Sequence, residues 1–206
     1  MSFYPTLQQY ITELLTEFEQ IPETRRELLR PLGQYCKTQV ETGKASNLVV
    51  ICTHNSRRSH MGQLWLRAAT KHYNIPNVQT YSGGTEGTAF NPRAVIAMQT
   101  AGFRISKKTD GSNPRYLTTM HAEDDGQLLF SKRYDAPPNP TKDFAPILVC
   151  TEADKGCPII LGADQRFPIS YNDPKAFDDT KLEEKAYAER CRDIAREMFF
   201  ALGMVS

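Results

Sequence analysis

Between Asn47 and Thr70 the chain reads NLVVICTHNSRRSHMGQLWLRAAT, and this stretch limits the available folds more than any other. Leu48, Val49, Val50 and Ile51 form a continuous apolar run rich in β-branched residues, which suits a strand buried on both faces. Cys52 ends the run, and the polar residues Thr53 to Ser59 follow. Met61, Leu64, Trp65 and Ala68 then recur at helical spacing. The stretch therefore predicts a strand, a tight loop and a helix, with a cysteine at the strand end and Arg58 at the helix start.

Chemistry follows from that order. A loop wrapped at a helix N-terminus aims several backbone N–H groups at one point, and the helix dipole adds positive potential there. Arg58 can fork two donors onto an oxyanion. A thiol in such surroundings ionises readily and becomes a nucleophile toward phosphorus or arsenic. Ser59 can hydrogen-bond the thiolate. Asn55 and Ser56 can brace the loop, and Asn tolerates left-handed backbone angles. Of the five cysteines, only Cys52 has an Arg six residues on. The plainer alternative is a buried strand-end cysteine followed by a basic helix cap.

The run CTHNSRRS from Cys52 to Ser59 resembles the C-x5-R-S phosphate loop of the low-molecular-weight tyrosine phosphatases and of the arsenate reductases built on that fold. The resemblance extends from about Leu48 to Leu202. It implies a three-layer α/β sandwich around a central, mostly parallel four-stranded sheet. Its oxyanion-binding loop would be Thr53, His54, Asn55, Ser56, Arg57, Arg58 and Ser59. Two loop positions depart from the family pattern: His54 stands where Gly is usual, and Arg57 where Cys is usual. The expectation for Arg57 is that it points to solvent rather than adding a second cation to the pocket.

Composition narrows the setting. The 206 residues are 40% hydrophobic and 24% charged, as in a globular protein with one domain and an elaboration. A net charge of +1 argues against a nucleic-acid or membrane-surface partner. No apolar stretch approaches the roughly 18 residues of a membrane span. The N-terminus lacks a signal-peptide pattern, and five cysteines without framework spacing fit a reducing compartment, so a cytoplasmic location is expected.

Residues 1–46 are expected as an N-terminal helical extension, with 47–206 as the catalytic domain. Leu7, Tyr10, Ile11, Leu14, Leu15 and Phe18 make one helix face, ended by Ile21-Pro22. A second helix carries Leu28, Leu29, Leu32, Tyr35, Cys36 and Val40, with Pro31 as an expected break or kink and Gly43 as its end. Downstream, Val78 to Ser82 reads as a strand, and Asn91-Pro92 opens a helix that stops at Gly102. Arg115 to Met120 and Gln127 to Tyr134, around Asp124-Asp125-Gly126, read as a hairpin insertion. That hairpin suggests no chemical role. Ala145 to Thr151 is another buried-strand pattern, Glu152 to Gly156 a loop, Phe167 to Ser170 a last strand and Leu182 to Leu202 a final helix. Cys36 and Cys191 fall on apolar helix faces and read as core residues.

Cys150 and Cys157, in CTEADKGCP, are spaced like the redox pair of thioredoxin-coupled arsenate reductases. Asp173-Pro174 matches the position of the general acid in that family and in the phosphatases. The tyrosines common after that acid in the phosphatases are replaced here by Lys175-Ala-Phe177. The four histidines are scattered, so neither a metal nor another cofactor is expected. Gln63 occupies a position where an acidic residue often supports a potassium ion in relatives, so that ion is not expected either. The resemblance implies an arsenate reductase with Cys52 as nucleophile, Arg58 as oxyanion clamp, Asp173 as acid, a Cys150/Cys157 relay and thioredoxin as reductant. The alternatives are a tyrosine phosphatase working through a Cys52 thiophosphate, and a non-catalytic oxyanion-binding domain.

Overall fold

The computed structural model describes residues 2–156 and 160–205. Cys157, the expected outer member of the relay, lies outside the described residues. Strand β1, Ser46–Cys52, is almost wholly buried, as its continuous apolar run requires. It sits at the middle of a four-stranded sheet with β2, Val78–Gly84, β6, Ala145–Leu148, and β7, Phe167–Pro168. The spatial order is β2-β1-β6-β7, and every pairing is parallel. The C-terminal ends of β1 and β6 are neighbours, with Ile51 opposite Leu148. Sites in open parallel sheets gather at such strand ends.

Helices α1, Pro5–Leu15, α2, Glu23–Glu41, α3, Arg58–His72, and α4, Pro92–Thr100, all pack against the last helix, α6, Glu183–Leu202. The first helix is shorter than its apolar periodicity suggests. It ends at Leu15, and a single 3-10 turn, Phe18–Gln20, precedes Pro22. Pro31 does not break α2, which runs on with Leu29, Leu32, Tyr35 and Cys36 buried. The packing explains the exception: Gly33 approaches α6 so closely that a Cβ there would lie 2.3 Å from the Ala201 carbonyl oxygen. Burial of one whole helix face outweighs a lost backbone hydrogen bond.

The expected hairpin forms over shorter strands, β4, Tyr116–Thr119, and β5, Gln127–Leu129. It does not join the main sheet. It combines with an unforeseen strand, β3, Arg104–Lys107, into a separate antiparallel sheet of order β3-β4-β5. The expected loop after Cys150 is instead a short helix, α5, Thr151–Gly156. No described helix is long and apolar enough to cross a membrane.

Candidate active site

The loop between β1 and α3 is held from outside by its carbonyls. Cys52 O accepts from Thr85 N–H at 3.1 Å, Thr53 O from Glu86 N–H at 2.9 Å, and Ser56 O from Asn91 N–H at 2.9 Å. The His54 carbonyl accepts from the hydroxyls of Thr88, at 3.1 Å, and Ser131, at 2.9 Å. In a trans peptide the C=O of one residue and the N–H of the next point oppositely. The N–H groups of Thr53, His54, Asn55 and Arg57 therefore face away from these partners, which is the arrangement an anion loop needs. Gly84, paired with Cys52 across the sheet, makes room for the loop: a Cβ there would lie 2.6 Å from Thr53 O and 2.7 Å from Asn55 N.

Asn55 takes the left-handed conformation, φ +44°, that the sequence suggested for it. Its side chain then fixes a chain of protons. The Lys132 backbone N–H donates to Asn55 Oδ1 at 2.9 Å, which leaves Asn55 Nδ2 to donate to Ser59 Oγ at 2.9 Å. Ser59 has one proton remaining, and Cys52 Sγ lies 3.1 Å away. The hydroxyl is thus set to donate to the sulfur, stabilising a thiolate. Ser131 and Lys132, which follow the hairpin, were not anticipated as site residues; only the folded chain brings them beneath the loop.

Arg58 is buried at the start of α3. Its two terminal nitrogens donate to the Tyr171 carbonyl at 2.8 Å and to Asp173 Oδ2 at 2.7 Å. Asp173 also caps the following 3-10 turn, Pro174–Phe177, by accepting from Lys175 N–H at 3.0 Å. Arg57 corrects the solvent expectation. Its side chain is only 11% exposed and donates to the Tyr187 hydroxyl at 2.7 Å and to Asp178 at 3.4 Å, with Asp173 Oδ1 4.0 Å away. A partly buried guanidinium needs partners, and α6 with the segment before it supplies them. His54 is 46% exposed beside Glu86, at 3.7 Å. Its bulk is tolerated because the left-handed turn falls on Asn55 instead.

Cys150 ends the segment beside β1. Thr53 Oγ1 is 3.5 Å from its sulfur, and Ala153 N–H donates to it at 3.4 Å. The pocket above the loop, about 320 Å³, is lined by Thr53, His54, Arg58, Thr151, Glu152, Tyr171, Asn172 and Asp173. No cluster of metal-ligating side chains occurs among the described residues. Gln63 donates to the Thr80 carbonyl at 3.1 Å.

No family model matches the chain. Curated relatives do, among them two arsenate reductases. An arsenate reductase of Bacillus licheniformis is 32% identical over 144 residues, 69% of this chain and 84% of the relative. Arsenate reductase 2 of Staphylococcus epidermidis is 31% identical over 124 residues, 60% of this chain and 75% of the relative. Among solved structures, a low-molecular-weight protein tyrosine phosphatase from T. tengcongensis superposes with a TM-score of 0.51. It is 14% identical, covers 76% of this chain and 97% of its own, and bears on the fold alone. With identity to the reductases over most of their length, this chain belongs to the arsenate reductase family.

Proposed function

We propose that the protein reduces arsenate to arsenite through a thiol relay that starts at Cys52. Arsenate would displace Asp173 from Arg58 and take the loop N–H groups and the guanidinium fork. The Cys52 thiolate attacks arsenic; an S–As bond forms, an As–O bond breaks, and the oxygen leaves as water with the proton from Asp173. Cys150, as thiolate, then attacks Cys52 Sγ. The S–S bond forms and the S–As bond breaks. Its electron pair stays on arsenic, which leaves as arsenite in the +3 state. Cys157 next attacks Cys150, freeing Cys52, and thioredoxin reduces the Cys150–Cys157 disulfide. Each exchange requires the two Cα atoms to stand about 4.4–6.8 Å apart. This chemistry belongs in a reducing compartment, and we place the protein in the cytoplasm on that ground.

The observation that carries the reading is Cys150, a second thiol at the end of the neighbouring strand, touching the residue that follows the nucleophile. A phosphatase has no use for it. The pocket lining supports the same choice. Among the described lining residues the rings are the imidazole of His54 and the phenol of Tyr171, and Tyr171 is only 7% exposed, so they offer a phenyl phosphate little apolar wall. The decisive experiment supplies arsenate, thioredoxin, thioredoxin reductase and NADPH, with an aryl phosphate assay in parallel. Arsenate-dependent NADPH consumption is expected. Aryl phosphate hydrolysis alone would instead establish the phosphatase alternative.

A further inference from the structure

The segment carrying the general acid is a thin partition. Tyr171 and Asn172 line the oxyanion pocket on one side. The same two residues, with Pro22, Thr24 and Arg25, line a groove of about 350 Å³ between α2 and α6 on the other. Tyr171 is itself buried, so the side chains packed on it set where this wall stands. One of them is Arg25, in the first turns of α2. Its Nε and one terminal nitrogen donate to the two oxygens of Glu197, both at 2.8 Å, which fixes the plane of the guanidinium. That guanidinium lies over the Tyr171 ring, 4.6 Å from the ring centre. The Tyr171 hydroxyl also lies close to Arg25 and Glu197, so ring and hydroxyl both face that ion pair.

The backbone of Tyr171 is tied to the chemistry at both ends. Its N–H donates to Val149 O at 3.1 Å, and its carbonyl accepts from Arg58 at 2.8 Å. Asp173 follows two residues later, 2.7 Å from the same guanidinium. We propose that Arg25 is a positioning residue: by clamping the Tyr171 ring, the N-terminal helical region holds Asp173 where it can protonate the departing oxygen. The inference rests on the reading of Asp173 as the general acid and assigns the first 46 residues a part in the reaction.

The test uses the full chain with Arg25→Met, Arg25→Lys, Tyr171→Leu and Tyr171→Phe, each alone and with Asp173→Asn, in the thioredoxin-coupled arsenate assay. Arg25→Met and Tyr171→Leu should each lower kcat about tenfold, equal to about 1.4 kcal/mol, with KM within about twofold. Arg25→Lys keeps a cation over the ring and should stay within about threefold of wild type, and Tyr171→Phe, which keeps the ring, should lose less than Tyr171→Leu. In the Asp173→Asn background, Arg25→Met should cost less than about twofold, because the acid it positions is gone. A full additional tenfold loss in that background, or an unchanged kcat in the single variant, overturns the proposal. Tyr171→Leu leaves the Arg25–Glu197 pair intact and guards against simple unfolding of Arg25→Met. Hydrogen exchange supplies a readout free of activity. The Tyr171 amide should exchange about tenfold faster in Arg25→Met while the Val50 amide is unchanged. If the wild type reduces no arsenate, the proposed function fails and exchange alone decides: an unaltered Tyr171 amide sinks the brace.

Discussion

Cys52 and Cys150 are hidden as completely as Cys36 and Cys191; all four are between 0 and 3% exposed. Their surroundings differ. The first two stand at the ends of adjacent strand segments, each within reach of a hydroxyl, Ser59 for one and Thr53 for the other. The second two lie on helix faces. Burial pushes the Cys36 thiol from its ordinary 9.0 up to about 12, and the Cys191 thiol to about 11. Cys191 accepts from Trp65 Nε1 at 3.3 Å and lies 3.5 Å from the Met98 sulfur. Accessibility thus does not separate the two pairs. What separates the pairs is place in the fold: strand ends beside the loop for Cys52 and Cys150, packed helix faces for Cys36 and Cys191, where Ser46 and Trp65 still reach the sulfurs.

The largest break in this comparison should come from Cys52→Ser, which removes the thiolate and is expected to cut arsenate turnover by at least about a thousandfold. Cys191→Ala, measured alongside, should keep kcat/KM within about twofold. Equal losses in both would erase the distinction. Next comes Arg58→Lys: an ammonium cannot reproduce the planar fork that now holds the Tyr171 carbonyl and Asp173, and kcat/KM should drop on the order of a hundredfold. A rate within a few-fold of wild type would mean that the loop amides hold the anion unaided.

Cys150→Ser sharpens the comparison from the other side, because it changes the stage of failure more than the first step. Arsenylated Cys52 should accumulate, and arsenite release should stall unless an external thiol is added. In Cys157→Ser one arsenite per enzyme should form, leaving a Cys52–Cys150 disulfide visible by peptide mapping. Sustained thioredoxin-dependent turnover in both variants would contradict the relay. The smallest effect concerns Cys36. A thiol raised in the folded state adds stability that is complete below about pH 9 and lost as pH climbs toward about 12. Urea melts of the wild type should therefore weaken across that window, and Cys36→Ala should show a shallower decline. Parallel pH profiles for the two proteins would remove Cys36 as a source.

The sequence made the first half of the site legible because it is local. A β-branched run, a polar loop and a helical repeat lie within 24 consecutive residues, Asn47 to Thr70. The cap at Asn91 and the turn at Gly102, φ +105°, were readable for the same reason. What escaped depends on residues far apart in the chain. Pro31 predicted a break that α6 packing overrides. Arg57 read as a solvent residue until Asp178 and Tyr187 came round to meet it. Ser131 and Lys132 carried no motif; their part comes from a hydroxyl and a backbone N–H, which any sequence can supply.

The loop's long-range bonds also say when the pocket can exist. The loop is joined to Ser131 and Lys132 across 77 residues, to Cys150 across 97 and, through Arg58, to Asp173 across 115. Closing such spans is slow and comes after local structure. A nascent chain that has emerged only as far as α3 possesses Cys52 and Arg58 but not Asp173, Ser131 or Lys132. Oxyanion affinity is then a property of the finished fold, and arsenate or phosphate should act as a folding ligand, raising the stability of the whole domain by mass action rather than that of the loop alone.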